Sequence, residues 1–249
     1  MIKGIDVSEW QGQINWQKVA DSGIKFAIIR YADGSYIDRY FFANMIGAIK
    51  AGLHVGAYIF SRAVNEAQAR EEAQRLIKAC EPYAYDMPLY IDMEAENLKH
   101  IANKIVKAFM NECKIRQVKG GIYANLNWFN NYLDPEPYRK DPLWLAQYND
   151  AITARDPSLF GMWQFTSSGS VPGISGNVDM NYCYVEYWKN GGSSDNSNVN
   201  KKIDQFCASL AEKSKDVLAG KYGTGTAREA ALGEYYSPVQ FILNHVLED

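Results

Sequence analysis

Short apolar segments alternate with helical patterns along the first 190 residues, and this alternation constrains the fold more than any other feature of the chain. Between the earlier segments, apolar residues recur at helical spacing over residues 41–51, 65–80 and 98–114. Strands that alternate with helices form parallel sheets, and eight strands in one domain predict a β/α barrel. The eight segments are Gly4–Val7, Phe26–Tyr31, Val55–Phe60, Leu89–Met93, Gly121–Ala124, Leu143–Tyr148, Met162–Phe165 and Val178–Tyr182.

The later intervals are too short or too rich in turn residues for full helices. Residues 166–177, for example, hold four Ser, three Gly and one Pro. We therefore predict an irregular eight-stranded, TIM-like β/α barrel with a parallel sheet. An open doubly wound sheet is the structural alternative, but no G-x-G-x-x-G motif supports it.

A run of Gly, Ser, Asn and Asp at residues 191–199 marks a change in composition that is typical of a flexible linker. It divides the chain into a barrel domain of residues 1–190 and a C-terminal module of residues 200–249. In this module Ile203, Phe206 and Leu210 share one helical stripe, and two further helical patterns follow. We predict a small three-helix module.

Charge and composition argue against several classes of protein. The net charge is −3 and no block of like charges is present, which speaks against binding to nucleic acids or anionic membranes. No run of 18 apolar residues could span a membrane, and the polar N-terminus does not resemble a signal peptide. The three histidines have no metal-ligand spacing, so we expect neither a metal nor an organic cofactor.

The four cysteines are far apart and form no C-x-x-C motif. We expect Cys80, Cys113, Cys183 and Cys207 to be reduced and mostly buried, with two disulfides as the alternative.

Four carboxylates lie near strand ends, where a parallel barrel places its functional residues. They are Asp6, Asp92, Glu94 and Asp179. Asp92 and Glu94 are two residues apart, so their side chains point to the same side, about 6.6 Å apart along a strand. Two close carboxylates raise the pKa of one of them, which supplies the acid that glycosidases use.

Each carboxylate also has a structural alternative. A D-x-E sequence at a strand end can be a solvated loop or a ligand pair for Mg²⁺ or Ca²⁺. Asp6 can cap a turn or a helix, and Asp179 can cap a loop. Several acidic strand ends interleaved with Trp and Tyr favour catalysis.

These segments resemble glycoside hydrolase family 25, the N-acetylmuramidases or lysozymes of bacteria, fungi and phages. The resemblance covers residues 1 to about 188 in order and implies an irregular β/α barrel. It is carried by Gly4–Gly12, Asn15–Trp16, Lys25–Arg30, Gly56–Phe60, Tyr90–Glu94, Gly121–Asn125, Leu143–Tyr148, Met162–Phe165 and Val178–Asn181.

The resemblance implies a role for each matching position. Glu94 matches the general acid that protonates the leaving oxygen, and Asp92 matches the carboxylate that assists the 2-acetamido group of the substrate. Asp6 and Asp179 match two further acidic residues of the site. Four aromatic residues match positions that line the sugar groove, although each could instead pack the core. They are Tyr58, Tyr123, Trp144 and Trp163.

The stereochemical course stays open at this point. The expected Asp92–Glu94 spacing lies between those of retaining and inverting glycosidases. A third route uses the acetamide oxygen of the substrate as nucleophile, with Asp92 stabilising the charged intermediate. This substrate-assisted, retaining route is the one we favour.

Residues 216–244 are similar to the short wall-binding repeats of streptococcal phage lysozymes. Only one copy is present, and Tyr222 stands where that family commonly has Trp. The resemblance suggests weak ligand contacts from Lys221, Tyr222, Gly223 and Arg228, but Tyr222 could equally pack the module and Gly223 could serve only a turn. Wall binding by one copy should be modest unless the chain self-associates through this module.

The sequence thus predicts a peptidoglycan hydrolase, most simply a phage endolysin that stays in the host cytoplasm until a holin releases it to the cell wall. A bacterial autolysin of the same activity is the alternative source. A non-catalytic peptidoglycan-binding protein and a metal-dependent hydrolase are the competing functions, and the four retained carboxylates disfavour the first of these.

Overall fold

The computed structural model describes residues 1–83, 85–189 and 196–245. The chain divides into two compact units. The first takes in residues 1–80 and 85–193, and the second takes in 81–84 and 194–249, apart from the positions that are not described.

In the described part of the first unit, the chain forms a closed β-barrel. Its strands are β1 (Ile2–Val7), β2 (Phe26–Asp33), β3 (Tyr36–Ile37), β4 (His54–Phe60), β5 (Leu89–Asp92), β6 (Gly120–Asn125), β7 (Leu143–Ala146), β8 (Met162–Gly169) and β9 (Val178–Cys183). The sheet order is β1-β9-β8-β7-β6-β5-β4-β2-β3, and pairing of β1 with β2 closes the barrel, while the short β3 pairs with β2 only. This confirms the predicted barrel.

The expectation of parallel strands is wrong for β9. This strand runs antiparallel to both of its neighbours, β8 and β1. A parallel strand needs a crossover of about a dozen residues or more, usually a helix. Only the turn-rich residues 170–177 connect β8 to β9, so the chain reverses instead and makes the barrel irregular.

The α-helices in the described part of the barrel unit are α1 (Trp16–Asp21), α2 (Phe41–Lys50), α3 (Glu66–Cys80), α4 (Ala102–Ile115) and α5 (Leu126–Asn131). The helical patterns at 41–51 and 65–80 correspond closely to α2 and α3. The pattern at 98–114 begins too early, because residues 96–98 form a separate 3₁₀ turn before α4. Cys80 and Cys113, at the ends of these helices, and Cys183 in β9 are buried free thiols.

Large side chains fill the barrel below its mouth, among them Phe26, Tyr90, Trp144 and Met162. Two motif glycines make this packing possible. A Cβ on Gly4 would lie 2.3 Å from the Phe26 ring, and one on Gly121 would lie 2.4 Å from the Tyr90 ring. The aromatic interior therefore requires glycine at these strand positions.

The residues of the second unit that the structure describes form the helices α6 (Asn196–Leu218), α7 (Gly225–Leu232) and α8 (Tyr236–His245). Phe206 and Leu210 are buried as the predicted stripe requires, together with Leu232 and Val239. The predicted linker extended too far, because residues 196–199 begin α6. Its first part, residues 191–195, lies outside the described residues.

Candidate active site

The four predicted carboxylates lie at one mouth of the barrel. Asp6 and Asp92 stand near the carboxyl ends of β1 and β5, and Glu94 follows β5 by two residues. Asp179 is the second residue of β9 and is the register partner of Asp6. Because β9 is antiparallel, the start of this strand reaches the mouth where the parallel strands end.

A cleft of about 590 Å³ opens at this mouth. Asp6, Asp92, Glu94 and Asp179 all line it, so the structure brings together every predicted acidic residue. Tyr58, Tyr123 and Trp144 line it as well. Concave sites with a few convergent polar groups are typical of ligand binding.

Asp6 is buried and held by two side-chain amides. Its Oδ2 accepts hydrogen bonds from Nε2 of Gln164 (2.9 Å) and Nδ2 of Asn181 (2.7 Å). The indole N–H of Trp144, which can only donate, binds Oδ1 of Asn181 at 2.8 Å. This bond fixes which way the Asn181 amide points and so presents its N–H groups to Asp6.

Two tyrosines orient the second amide. The hydroxyls of Tyr123 and Tyr148 lie 3.0 Å and 2.9 Å from Oε1 of Gln164 and donate to it. Burial and the neighbouring charge of Asp179 raise the pKa of Asp6, against the lowering effect of its hydrogen bonds. A protonated Asp6 would carry its proton on Oδ1, because Oδ2 already accepts from both amides.

Asp92 is 5% exposed, and among the described residues its Oδ1 has no hydrogen-bond partner. Burial, then the charge of Glu94, raises the pKa of Asp92, while Arg30 lowers it. Arg30 is itself bound to Asp38 and Glu9, at 2.9 Å and 3.2 Å. A buried carboxylate oxygen without a partner is costly, so Asp92 is suited to receive an N–H group from a ligand.

Glu94 is oriented by a residue that also begins a helix. Oδ1 of Asn125 caps α5 by accepting from the backbone N–H of Trp128 at 3.1 Å. The other side of the same amide, Nδ2, donates to Oε1 of Glu94 at 2.9 Å. Burial is the main cause that raises the pKa of Glu94. A partly buried carboxyl with a raised pKa and one fixed oxygen has the properties of a general acid.

Burial and then the charge of Glu94 raise the pKa of Asp179 to about 6. The folded state therefore holds a proton that the unfolded state has released between about pH 4 and 6, and the fold loses stability as the pH rises through this window. We expect Asp179→Asn to remove this penalty and stabilise the protein at pH 7 by about 1–2 kcal/mol, less than the value of about 3 kcal/mol for the full pKa shift, because the partly exposed side chain is screened by solvent. Thermal unfolding at pH 7 and pH 4 tests this, since the gain should vanish at pH 4. An equal gain at both pH values would assign it to packing instead.

The aromatic residues do not share one role. Tyr123 and Trp144 are almost fully buried, their rings lie 4.4 Å apart, and each donates within the Asp6 network. Tyr58 is half-buried in the cleft. Tyr123 and Trp144 therefore border the cleft and pack the core at the same time, so both roles that the sequence left open apply to them.

Trp163 does not line this cleft. It lies between Met162 and Gln164 on β8, both of which face the barrel interior, so its own side chain points outward. There it packs near Phe165 and Tyr182 and donates to the backbone oxygen of Gln147 at 2.7 Å. Because side chains alternate between the two faces of β8, Trp163 does not make the contact with the sugar groove that the resemblance implied.

Several residues of the cleft were not among the predicted site residues. Gln164 and Asn181 are polar residues of strands and were recognisable as such, but no pattern shows that both bind Asp6. Trp10 and Tyr148 stand in loops after strands and remain 79% and 54% exposed. Their position at or just beyond the ends of predicted strands was the sequence signal that could have identified them.

The loop that carries Trp10 is held firmly. Ser8 and Gln11 form a reciprocal capping box around it. The backbone N–H of Glu9 donates to Asp38 at 2.8 Å, and Nε2 of Gln11 donates to the backbone oxygen of Asn177 at 3.2 Å. The exposed indole is therefore a preorganised surface at the rim of the cleft.

The candidate contacts of the C-terminal unit have local partners. Lys221 binds Asp216 at 2.6 Å. Nε of Arg228 donates to the backbone oxygen of Gly223 at 2.9 Å. Gly223 has φ 62°, in the left-handed region that favours glycine, and Tyr222 is half-buried near Lys213. These contacts show that Gly223 and Arg228 shape the turn before α7.

Within the described ranges, no group of three or more His, Cys, Asp and Glu side chains has an arrangement that could hold a metal ion. Among the helices of the same ranges, none combines the length and apolar character of a membrane span.

The sequence matches known glycosidases. The profile described as glycosyl hydrolases family 25 matches residues 5–174, more than half of the chain. Lysozyme M1 of Streptomyces globisporus is 30% identical over 198 residues, covering 72% of this chain and 67% of that protein.

Solved structures share the fold. The modular autolysin LytC from Streptococcus pneumoniae, in complex with a synthetic peptidoglycan ligand, is 27% identical with a TM-score of 0.65 over 72% of this chain. This chain spans about half of LytC, 46% of its length. The CTP1L endolysin is 22% identical with a TM-score of 0.68 over 100% of both chains, a likeness in fold.

The family match includes β1 and β5, the strands that bring Asp6 and Asp92 to the cleft, together with Glu94. Asp179 lies just beyond the matched residues and reaches the same cleft through β9. By this match and its likeness to a lysozyme, the chain belongs to glycosyl hydrolases family 25 and is a glycoside hydrolase.

Proposed function

We propose that this protein is an N-acetylmuramidase that hydrolyses the β-1,4 bond between N-acetylmuramic acid and N-acetylglucosamine in bacterial peptidoglycan. The observation that carries the proposal is the placement of Glu94, a partly buried carboxyl oriented by Asn125, in one polar cleft with Asp92, whose Oδ1 has no hydrogen-bond partner in the described part of the chain. The relative named Lysozyme M1 and the peptidoglycan ligand of LytC support the choice of substrate.

In the proposed mechanism Glu94 donates its proton to the glycosidic oxygen as the bond to the anomeric carbon breaks. The acetamide oxygen of the substrate attacks the anomeric carbon and forms a cyclic oxazolinium ion. Asp92 accepts the acetamide N–H and stabilises the positive charge. Glu94 then removes a proton from water, which opens the ring with retention of configuration.

Asp6 and Asp179 contribute to the electrostatic field of the cleft and take no part in proton transfer. Asp6 has its amide partners fixed by Trp144 and the tyrosines, and Asp179 lies beside it across the β1–β9 pair. Besides burial, the charge of Asp179 raises the pKa of Asp6, and the charges of Glu94 and Asp6 raise the pKa of Asp92. Negative charge near the anomeric carbon stabilises the positive charge that develops there in the transition state.

Mass spectrometry of digested peptidoglycan tests the proposal. A muramidase leaves N-acetylmuramic acid at the new reducing ends. Reducing-end N-acetylglucosamine would instead identify a glucosaminidase and overturn the assignment.

We further propose that the protein is a phage endolysin, held in the host cytoplasm and released by a holin, whose C-terminal unit binds the cell wall. The similarity of residues 216–244 to wall-binding repeats supports this role, and the fold likeness to the CTP1L endolysin agrees with it. An exported autolysin with the same activity is the alternative, distinguished by whether lysis requires co-expression of a holin.

A chain shortened to end at Lys189 tests the proposed tethering. Wall binding by the C-terminal unit turns encounters of the catalytic barrel with glycan into intramolecular events. We expect the shortened chain to cleave small soluble glycan fragments as fast as the full chain but to lyse whole cells more slowly. The two rates are measured side by side by reducing-end release and by turbidity. Full retention of lytic activity would contradict wall binding.

A further inference from the structure

A second, smaller cavity of about 340 Å³ lies beyond Glu94, between the carboxyl ends of β6 and β7. Its walls include Leu126, Asn127, Ala146 and Tyr148. Nothing in the roles described above uses this cavity, although it adjoins the proposed acid.

Glu94 and Tyr148 line both this cavity and the main cleft. Asp6, Asp92 and Asp179 line the main cleft only. In any glycosidase the general acid stands at the bond that breaks, with the glycone on one side and the leaving sugar on the other. The groups that act on the anomeric carbon therefore mark the main cleft as the glycone side.

We propose that the second cavity binds the leaving sugar, a neutral N-acetylated hexosamine, and that the glycone runs through the main cleft toward Trp10. This inference rests on the proposed muramidase function and adds the direction in which the glycan binds. It also names Asn127 as a contact of the leaving sugar.

The lining of the cavity suits the two faces of a sugar ring. Leu126 and Ala146 supply apolar surface, and Tyr148 is 54% exposed while its hydroxyl is hydrogen-bonded to Gln164. An aromatic ring held in this way can pack against the C–H face of a pyranose.

Asn127 supplies the polar contact. Its Oδ1 accepts from Nδ2 of Asn131 at 2.7 Å, while its own Nδ2 has no partner among the described residues. Gln147, on the opposite wall, uses both polar side-chain atoms on Thr153. Glu94 is the charged residue among the described residues that line the cavity, and the others are neutral, which fits a neutral hexosamine better than muramic acid with its carboxyl-bearing side group.

Two asparagines of α5 provide the test. Asn127→Ala removes the proposed contact, and Asn130→Ala is the matched control, because Asn130 is also exposed but lines a different cavity. The full chain is assayed on a peptidoglycan tetrasaccharide and on an aryl glycoside with the same glycone and 4-nitrophenol as leaving group. The aryl group offers no hydroxyl or acetamide to Asn127.

We expect Asn127→Ala to lower kcat/KM on the tetrasaccharide by about 3- to 10-fold, the effect of one neutral hydrogen bond, and to leave aryl glycoside hydrolysis unchanged. Asn130→Ala should match the wild type on both substrates. An equal loss on both substrates would place Asn127 at the glycone, and no loss on the tetrasaccharide would remove it from the site. Either result overturns the proposal.

A binding measurement separates this inference from the proposed reaction. In methyl NMR spectra of the full chain, added N-acetylglucosamine should shift the Leu126 resonances, and Asn127→Ala should weaken that shift. Shifts confined to the main cleft would contradict the proposal even for an active muramidase. If the wild type cleaves no muramyl bond, the proposed function fails while the NMR result still reports on the cavity.

Discussion

Replacing Glu94 with glutamine is expected to lower peptidoglycan turnover about 100-fold or more while the fold stays intact. Glutamine keeps the shape of the side chain, and its carbonyl oxygen can still accept the hydrogen bond from Asn125. What it loses is the transferable proton. Because burial raises the pKa of Glu94, the wild-type carboxyl keeps this proton to a higher pH than an exposed glutamate does.

The measurement is the rate of reducing-end release from purified cell walls, with thermal unfolding as the check on folding. Glu96→Gln is a suitable control, since Glu96 follows the same strand but its side chain is 78% exposed and paired with Lys99. The control should retain wild-type activity. Near-normal turnover by a folded Glu94→Gln protein would refute the assignment of the general acid.

Replacing Asp92 with asparagine is expected to cost on the order of 10²- to 10³-fold in turnover. Asparagine fills the same space and can still accept an N–H through its carbonyl, but it lacks the negative charge that stabilises the oxazolinium ion. Stability should not fall, because the folded state raises the pKa of Asp92 and a neutral side chain escapes that cost. Asp150→Asn, at an exposed position, serves as the control.

A thiazoline mimic of the cyclic intermediate gives an independent readout. The wild type should bind it much more tightly than N-acetylglucosamine, as enzymes bind transition-state-like ligands, and Asp92→Asn should lose most of this preference. Proton NMR early in the reaction reports the configuration of the product. Release of the inverted α-anomer would exclude the substrate-assisted route and leave Asp92 to position water.

Sequence patterns were sufficient for the barrel and for the acidic pair. The strand segments of the barrel are short apolar runs bounded by turn residues, and helical spacing identified α2 and α3. Asp92 and Glu94 reach one cleft because a two-residue separation at a strand end keeps side chains on one side. These features depend on neighbours in sequence, so they can be read without the tertiary structure.

The direction of β9 depended on the tertiary structure. Its apolar pattern is the same for either direction, and alternation with helices suggested a parallel strand. Asp179 therefore reaches the mouth from the start of its strand, where a parallel strand would have carried it toward the other end. The residue was predicted at the correct mouth although the strand direction was wrong.

The tertiary structure also decided whether each aromatic side chain points into the barrel or outward. A barrel strand is buried on both faces, inside the barrel and under its outer layer, so apolar residues on both faces give no sign of which one points inward. Trp144 faces inward to Asn181, whereas Trp163 faces outward.

The amides that hold Asp6 come from β8 and β9, more than 150 residues away in sequence, and only closure of the sheet brings them together. The sequence by itself thus determined the fold class and the Asp92–Glu94 pair, because both depend on local periodicity. The hydrogen-bond partners of Asp6 and the direction from which Asp179 reaches the cleft were decided by the tertiary structure, because they depend on contacts that exist only in the closed barrel.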